Sequence, residues 1–370
     1  MQEQYKRFFS LDVLRGLTVA GMILVNNPGC SGECFSWLRH AAWHGCVVAD
    51  LVYPFFLFVV GASCWFSMRK TGHQLNAGVV WRILKRGICI FGLGLVYNWL
   101  PFDFSISHLR IMGVLQRIAL VYVVGSFLAL GLKSYLRISL ASLVILCGYW
   151  LLLSTTGFND PWNNLPGQVD LALFGQDHIH VYNARTGTGF DPEGIPATLP
   201  ALVNMLLGYM AAMWLGQAEN KPKAALRLMG MAAGVLVIAW LWNFVFPYNK
   251  QLWTSSFVLY TCGWAALLWS VLLYVIDFWK IKGWTVFFAV FGTNALFTYF
   301  LSGVLAVVLW RWQWMTVGGE RITLCGWLTE HVFSIFAMPS LSGLLWGMCM
   351  LLFCWAVTYP LYRKKIFIKL

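Results

Sequence analysis

Residues 47–68 read VVADLVYPFFLFVVGASCWFSM, twenty-two residues with one charged side chain, Asp50, and the run stops at Arg69-Lys70. A helix of about twenty apolar residues, rising about 1.5 Å per residue, matches the roughly 30 Å of hydrocarbon in a bilayer. A strand of a membrane barrel would be about half as long and would alternate apolar with polar side chains. This run does neither. Similar runs recur along the chain, and ten spans are predicted at 11–29, 47–68, 82–100, 112–132, 136–156, 197–216, 226–246, 254–276, 285–310 and 341–361. Unpaired backbone groups are too costly in hydrocarbon, so continuous runs of this length form helices. The predicted fold class is an all-α polytopic membrane protein of about ten transmembrane helices in one bundle. Residues 1–370 are read as a single transmembrane domain.

Composition supports that class and excludes others. The 370 residues are 59% hydrophobic and only 11% charged, against about 25% charged in soluble domains. Too little polar surface is available to cover a water-soluble globule. The balance of 26 Lys and Arg against 14 Asp and Glu does not form a nucleic-acid patch, because the basic residues cluster at the ends of apolar runs. Eighteen of them fall in one alternate set of connections and six in the other. The positive-inside rule therefore places both termini in the cytoplasm. The leading MQEQYKR and its apolar run lack a small-residue cleavage site, and Asp12 and Arg15 interrupt the run, so it reads as an uncleaved span.

The polar residues near the membrane edge narrow the chemistry. Asn26, Asn27, Arg39, His40, His44 and Asp50 crowd the first outer loop and its flanks. A histidine there titrates near neutral pH and serves as a general base if a neighbour fixes its ring. Asn26 lies near the outer end of the first span and Asp50 near the start of the second, so both approach His40 if the loop folds back. Arg110 and Arg117 open the fourth span, and Arg117 needs a partner on another helix. On the opposite side, Arg82, Lys85 and Arg86 share one helical face at i, i+3 and i+4. With Arg7 they form either a plain cytoplasmic anchor or a phosphate-binding patch.

The ten cysteines show no zinc spacing, and no metal is expected. Cys30 and Cys34 share a polar loop and form a disulfide if that loop faces an oxidising compartment. The longest polar segment, 157–196, is predicted on the outer side as a functional loop or a structured cap. Segment 322–338 is amphipathic and lies in the interface or re-enters. Phosphate-loop, nucleophile-elbow, HExxH and dinucleotide fingerprints are lacking.

Taken together, these blocks resemble the heparan-α-glucosaminide N-acetyltransferase family of transmembrane acyltransferases, as a bacterial member. The resemblance runs from Ser10-Leu11-Asp12-Val13-Leu14-Arg15-Gly16 through Val25-Asn26. It is strongest at His40-Ala41-Ala42-Trp43-His44-Gly45 and Ala49-Asp50-Leu51-Val52-Tyr53-Pro54-Phe55. It continues through the Arg110–Arg117 run, Asp191-Pro192-Glu193-Gly194-Ile195, Asn249-Lys250-Gln251-Leu252-Trp253, Gly292-Thr293-Asn294 and Tyr362-Arg363-Lys364-Lys365-Ile366-Phe367. Relative to the animal members, the large luminal N-terminal domain has no counterpart in this sequence. Leu301-Ser302-Gly303 stands where those members carry a His-Glu pair, and the 157–196 loop is shorter.

The resemblance implies an acetyl group passed from cytosolic acetyl-CoA, as co-substrate, to an amino sugar of glucosamine type on the other side. It implies His40 as the catalytic histidine, with Asn26 beside the acetyl group and Asp50 orienting His40 or binding sugar. Arg7, Arg82, Lys85 and Arg86 are then the coenzyme-binding residues, and Asp191, Glu193, Arg110 and Trp253 the acceptor-binding ones. Direct transfer and an acetyl-histidine intermediate both remain open. So does the acceptor: an envelope sugar, a peptidoglycan fragment or scavenged glucosamine. A homodimer in a bacterial inner membrane, with its site opening to the periplasm, completes the expectation. The alternative is an amino-sugar transporter, although no repeat between halves and no matching pair of interrupted spans supports it.

Overall fold

The computed structural model describes residues 8–28, 34–102, 105–315, 319, 321–333 and 338–368. The long helices are α1 (Phe9–Asn26), α2 (Val48–Ser67), α3 (Ala77–Trp99), α4 (Val114–Leu132) and α5 (Tyr135–Thr156). After a cap containing the short α6 (Leu165–Phe174), the chain continues with α7 (Ile195–Gln217), α8 (Lys221–Asn243) and α9 (Ser255–Leu272). Then follow α10 (Thr285–Thr293), α11 (Ala295–Arg311), the five-residue α12 (Leu324–Leu328) and α13 (Pro339–Arg363). Eight of these, α1, α2, α4, α5, α7, α8, α9 with its π-helical extension to Phe278, and α13, are long and apolar enough to cross a bilayer. The protein is an all-α polytopic membrane protein. Its two small hairpins are β1 (Val181–Asn183) with β2 (Thr188–Phe190), and β3 (Gln313–Met315) with β4 (Arg321–Thr323), both antiparallel.

The two other predicted spans deserve separate treatment. The one at 82–100 falls on α3, which has 23 residues but carries Arg82, Lys85 and Arg86 and so is less purely apolar. The one at 285–310 is not a single rod: α10 and α11 meet at an angle of 87°. The break is at Asn294, whose side chain serves two backbone groups of the C-terminal segment. Its Nδ2 donates to the Ile366 carbonyl at 3.1 Å and its Oδ1 accepts from the Ile368 N–H at 2.8 Å. Irregular backbone is tolerated at membrane depth where protein covers it, and Asn294 is buried.

Helix pairs α2–α7 and α1–α10 pack through reciprocal glycines. A methyl group on Gly61 would lie 1.8 Å from the Met205 carbonyl oxygen, and one on Gly208 would lie 1.9 Å from that of Phe58. Gly16 against Phe288 and Gly292 against Asp12 repeat the arrangement, at 1.7 and 1.9 Å. Lipid offers apolar side chains as good a solvent as a neighbouring helix does, so close backbone approach drives association here. The first turn of α1 is completed from afar, since Asp277 accepts the N–H groups of Phe9 and Ser10, each at 3.1 Å. A carboxylate there complements the helix N-terminus.

At the end of the bundle that carries His40, segment 157–196 is an ordered cap of α6 and the β1–β2 hairpin. Of segment 322–338, the described residues 322–333 form the end of β4, α12 and a π-helical turn over Thr329–Phe333, none of these long enough for a span. Cys34 carries a free thiol, so no Cys30–Cys34 disulfide forms, whereas Cys325 is disulfide-bonded. Cys30 itself lies outside the described residues.

Candidate active site

The loop between α1 and α2 folds back onto the N-terminus of α2, and one carboxylate gathers it. Asp50, fully buried in the first turn of α2, accepts the N–H groups of Val47 at 3.1 Å and Ala41 at 3.3 Å on Oδ2. Its Oδ1 lies 2.7 Å from His40 Nδ1. A helix N-terminus favours an anion, which keeps Asp50 available as an acceptor. Nδ1 therefore carries the ring proton towards Asp50, and the Nε2 lone pair is left for other partners. His40 retains 40% side-chain exposure, and it opens onto a cavity of about 450 Å³.

A second loop closes the cavity from the α8–α9 connection. Gly45 N–H donates to the Tyr248 carbonyl at 2.7 Å, and Gln251 Nε2 donates to that of Ala42 at 3.0 Å. Buried Asn249 holds the turn by accepting the Leu252 N–H at 2.8 Å. Lys250 is thereby placed with Nζ 3.1 Å from both ring nitrogens of His40 and 3.7 Å from Asp50 Oδ1. Burial pushes the Lys250 ammonium below the usual lysine range, against the pull of Asp50 and Glu193. Trp253 ends the turn with φ of 56°, a left-handed conformation that a bulky residue holds only when its side chain is locked. The lock is three-sided: its Nε1 donates to Asn204 at 2.8 Å, Tyr53 meets it edge-on at 5.2 Å, and the Arg117 guanidinium lies 4.9 Å over its ring.

The third wall is the turn before α7. Arg110 grips Asp191 through two bonds, at 2.9 and 2.7 Å, and reaches Glu193 at 2.5 Å. Arg117, fully buried, donates to the Pro192 carbonyl at 2.6 Å and to Thr198 at 3.2 Å. Burial works against the Glu193 carboxylate, but Arg110 and Arg117 outweigh it and hold its pKa below the ordinary value. Glu193 is thus an anion facing the same cavity as His40, Asn26, Lys250 and Tyr299. Asn26, the last residue of α1, also borders a smaller cavity of about 140 Å³ between α1, α11 and α13.

Asp170 of α6 supports this wall from behind. Its Oδ1 accepts the Ile195 N–H at 2.9 Å, while its Oδ2 is buried without a partner among the described residues. Burial first, and then Asp191, push its pKa up from 3.8 to about 7. The native state thus holds a proton that the unfolded state releases near pH 4, and stability falls as pH rises from about 4 to about 7. At about 1.4 kcal/mol per unit, the effect is large for one side chain. Asp170→Asn is expected to flatten this part of the profile and raise the thermal transition above pH 7, as read by melting the purified protein across the pH range.

The structure brings together His40, Asn26, Glu193 and Trp253 around one cavity, with Asp50 behind His40 and with Arg110 and Asp191 behind Glu193. It does not bring the opposite basic cluster there: Arg82, Lys85 and Arg86 are exposed on α3, Arg86 lies 4.9 Å over the Tyr122 ring, and none of the three lines the cavity. Arg7 lies outside the described residues. Among cavity residues, Lys250, His180, Tyr53 and Tyr299 were given no role from sequence. One signal for Lys250 was present, since it is the only lysine in the connections assigned to the outer side. No group of three His, Cys, Asp or Glu side chains suited to a metal ion occurs among the described residues.

The site is thus a carboxylate-held histidine that opens on a cavity at one end of a helical membrane bundle. The chain belongs to the family described as heparan-alpha-glucosaminide N-acetyltransferase, catalytic, whose model matches residues 7–230. It is 27% identical to the heparan-alpha-glucosaminide N-acetyltransferase of Homo sapiens and 26% identical to that of Mus musculus, in each case over 98% of this chain and 60% of the relative. The chain thus spans about three fifths of the length of these relatives.

Proposed function

We propose that the protein is a transmembrane N-acetyltransferase that moves the acetyl group of cytosolic acetyl-CoA onto the amine of a glucosamine-type sugar on the opposite face. The reading rests above all on the His40–Asp50 pair, 2.7 Å apart, opening on a cavity that also holds the Glu193 carboxylate. His40 Nε2 takes the proton from the acceptor nitrogen as it attacks the thioester carbonyl. Asp50 keeps the ring in the tautomer that makes this lone pair available and stabilises the imidazolium that results. The Asn26 amide donates to the oxyanion that develops on the carbonyl. Glu193, with Arg110 and Asp191 fixing its position, receives the polar face of the sugar, and Trp253 and Tyr53 supply the apolar wall. Transfer on this reading is direct, since a base that takes the acceptor's proton needs no acetyl-histidine intermediate.

At the other end, the coenzyme phosphates meet Arg7, Arg82, Lys85 and Arg86 through charge-assisted bonds. From Arg86 to Trp99 at the far end of α3 is about 20 Å of helix, which the extended thioester arm has to cover. The working assembly is a homodimer in a bacterial inner membrane, with the His40 end facing the periplasm. Purified protein given labelled acetyl-CoA and a panel of amino sugars is expected to release free coenzyme over many turnovers only when an acceptor amine is present. Solute uptake into vesicles without coenzyme consumption would instead make it a carrier.

A further inference from the structure

Lys250 is the one amine among the described residues that line the cavity, and it stands beside the base. Its Nζ lies over the face of the His40 ring, 3.1 Å from Nδ1 and from Nε2 alike, so a swing of its side chain towards the in-plane Nε2 lone pair keeps it within the roughly 2.6–3.2 Å reach of a general base. The backbone does not let it wander: Asn249 and Gln251 on either side are tied down, and Trp253 closes the turn. Its partners are Asp50 and the His40 ring, the same groups that would serve an incoming sugar amine. An acceptor amine entering this cavity meets a position that the protein's own amine already occupies.

We propose that Lys250 is a self-acetylation site: when the donor is loaded and no acceptor amine is present, the protein acetylates Lys250 Nζ and so disables itself. This inference rests on the acetyl-CoA reading of the function. The Nζ lone pair attacks the thioester carbonyl, a C–N bond forms and the C–S bond breaks. His40 Nε2 takes the proton from Nζ and passes it to the departing thiolate. The products are Nε-acetyl-lysine and free coenzyme, with no other reactant required. The lowered basicity of the buried ammonium favours the neutral amine that attack needs. The amide formed has no leaving group to return, so the modified site is a dead end, and the acceptor sugar protects against it by displacing Lys250 from the base.

The test uses the full-length protein in detergent with isotopically labelled acetyl-CoA, with and without glucosamine, followed by peptide mass spectrometry. Label is expected on the Lys250 peptide without glucosamine and suppressed with it, and transfer to glucosamine measured afterwards should fall in proportion to the label. His40→Ala should slow labelling about 10²–10⁴-fold. Lys250→Arg keeps the cation but offers no acylable amine and should abolish label at that position, its thermal transition confirming that it folds. If glucosamine is acetylated at full rate while Lys250 stays unlabelled in its absence, the inference is overturned and the function stands. Equal labelling in heat-denatured protein, or labelling indifferent to His40, also overturns it. If neither sugar nor Lys250 receives acetyl, the donor reading itself has failed.

Discussion

His40→Ala is expected to lower the rate of acetyl transfer about 10²–10⁴-fold while leaving the helical content and thermal transition close to wild type. The separation of the two effects follows from position. The His40 ring is 40% exposed, and among the described residues its close charged contacts are Asp50 and Lys250. Removing it opens no hole in the core, and Asp50 keeps the Val47 and Ala41 N–H groups and the ammonium of Lys250. Asp50 is different, because it is fully buried and organises the loop as well as the ring. Its loss therefore conflates folding with chemistry, and His40→Ala is the cleaner variant. Steady-state transfer to glucosamine alongside circular dichroism melting reads the two effects separately. Near-normal turnover in a folded variant would remove His40 from the reaction.

The largest stability effect is expected at Arg110. Arg110→Met leaves Asp191, 1% exposed, without its bidentate partner and strips the hydrogen-bonded cation from Glu193, 14% exposed. Breaking a buried pair from one side costs about 3–5 kcal/mol, because the remaining charge is left in a poor solvent. The pair is expensive to build, but half of it is more expensive still. Adding Asp191→Asn and Glu193→Gln to Arg110→Met should recover much of the lost stability, since no unpaired charge then remains. A loss due only to missing side-chain volume would not be recovered. Thermal melts of the single and triple variants decide between the two.

The spans were legible because hydrocarbon imposes one rule on every helix: continuous apolar length. That rule is also why the break at Asn294 escaped notice, as residues on both sides of it are equally apolar and the cause is a C-terminal segment about seventy residues away in sequence. The approach of Asp50 to His40 was readable, since a loop of known length joins them and a helix N-terminus attracts a carboxylate. Asp170 gave no such sign: its unusual state comes from burial beneath the Asp191–Ile195 turn, which only the folded cap creates. Arg110 was read as an acceptor-binding residue; what its sequence position did not show is that its guanidinium braces Asp191 and Glu193. The Cys30–Cys34 option looked open because closeness in sequence says nothing of which thiols meet, and Cys34 remains free.

Two ends of one bundle, with the cation cluster at one and the histidine cavity at the other, make the sidedness of transfer the sharpest test. Protein reconstituted in a single orientation in sealed vesicles should be given acetyl-CoA on the Arg82 side and glucosamine only on the His40 side. N-acetylglucosamine is expected to accumulate on the His40 side while coenzyme is released on the other. Product that forms only when both substrates share one side of the membrane would contradict the account.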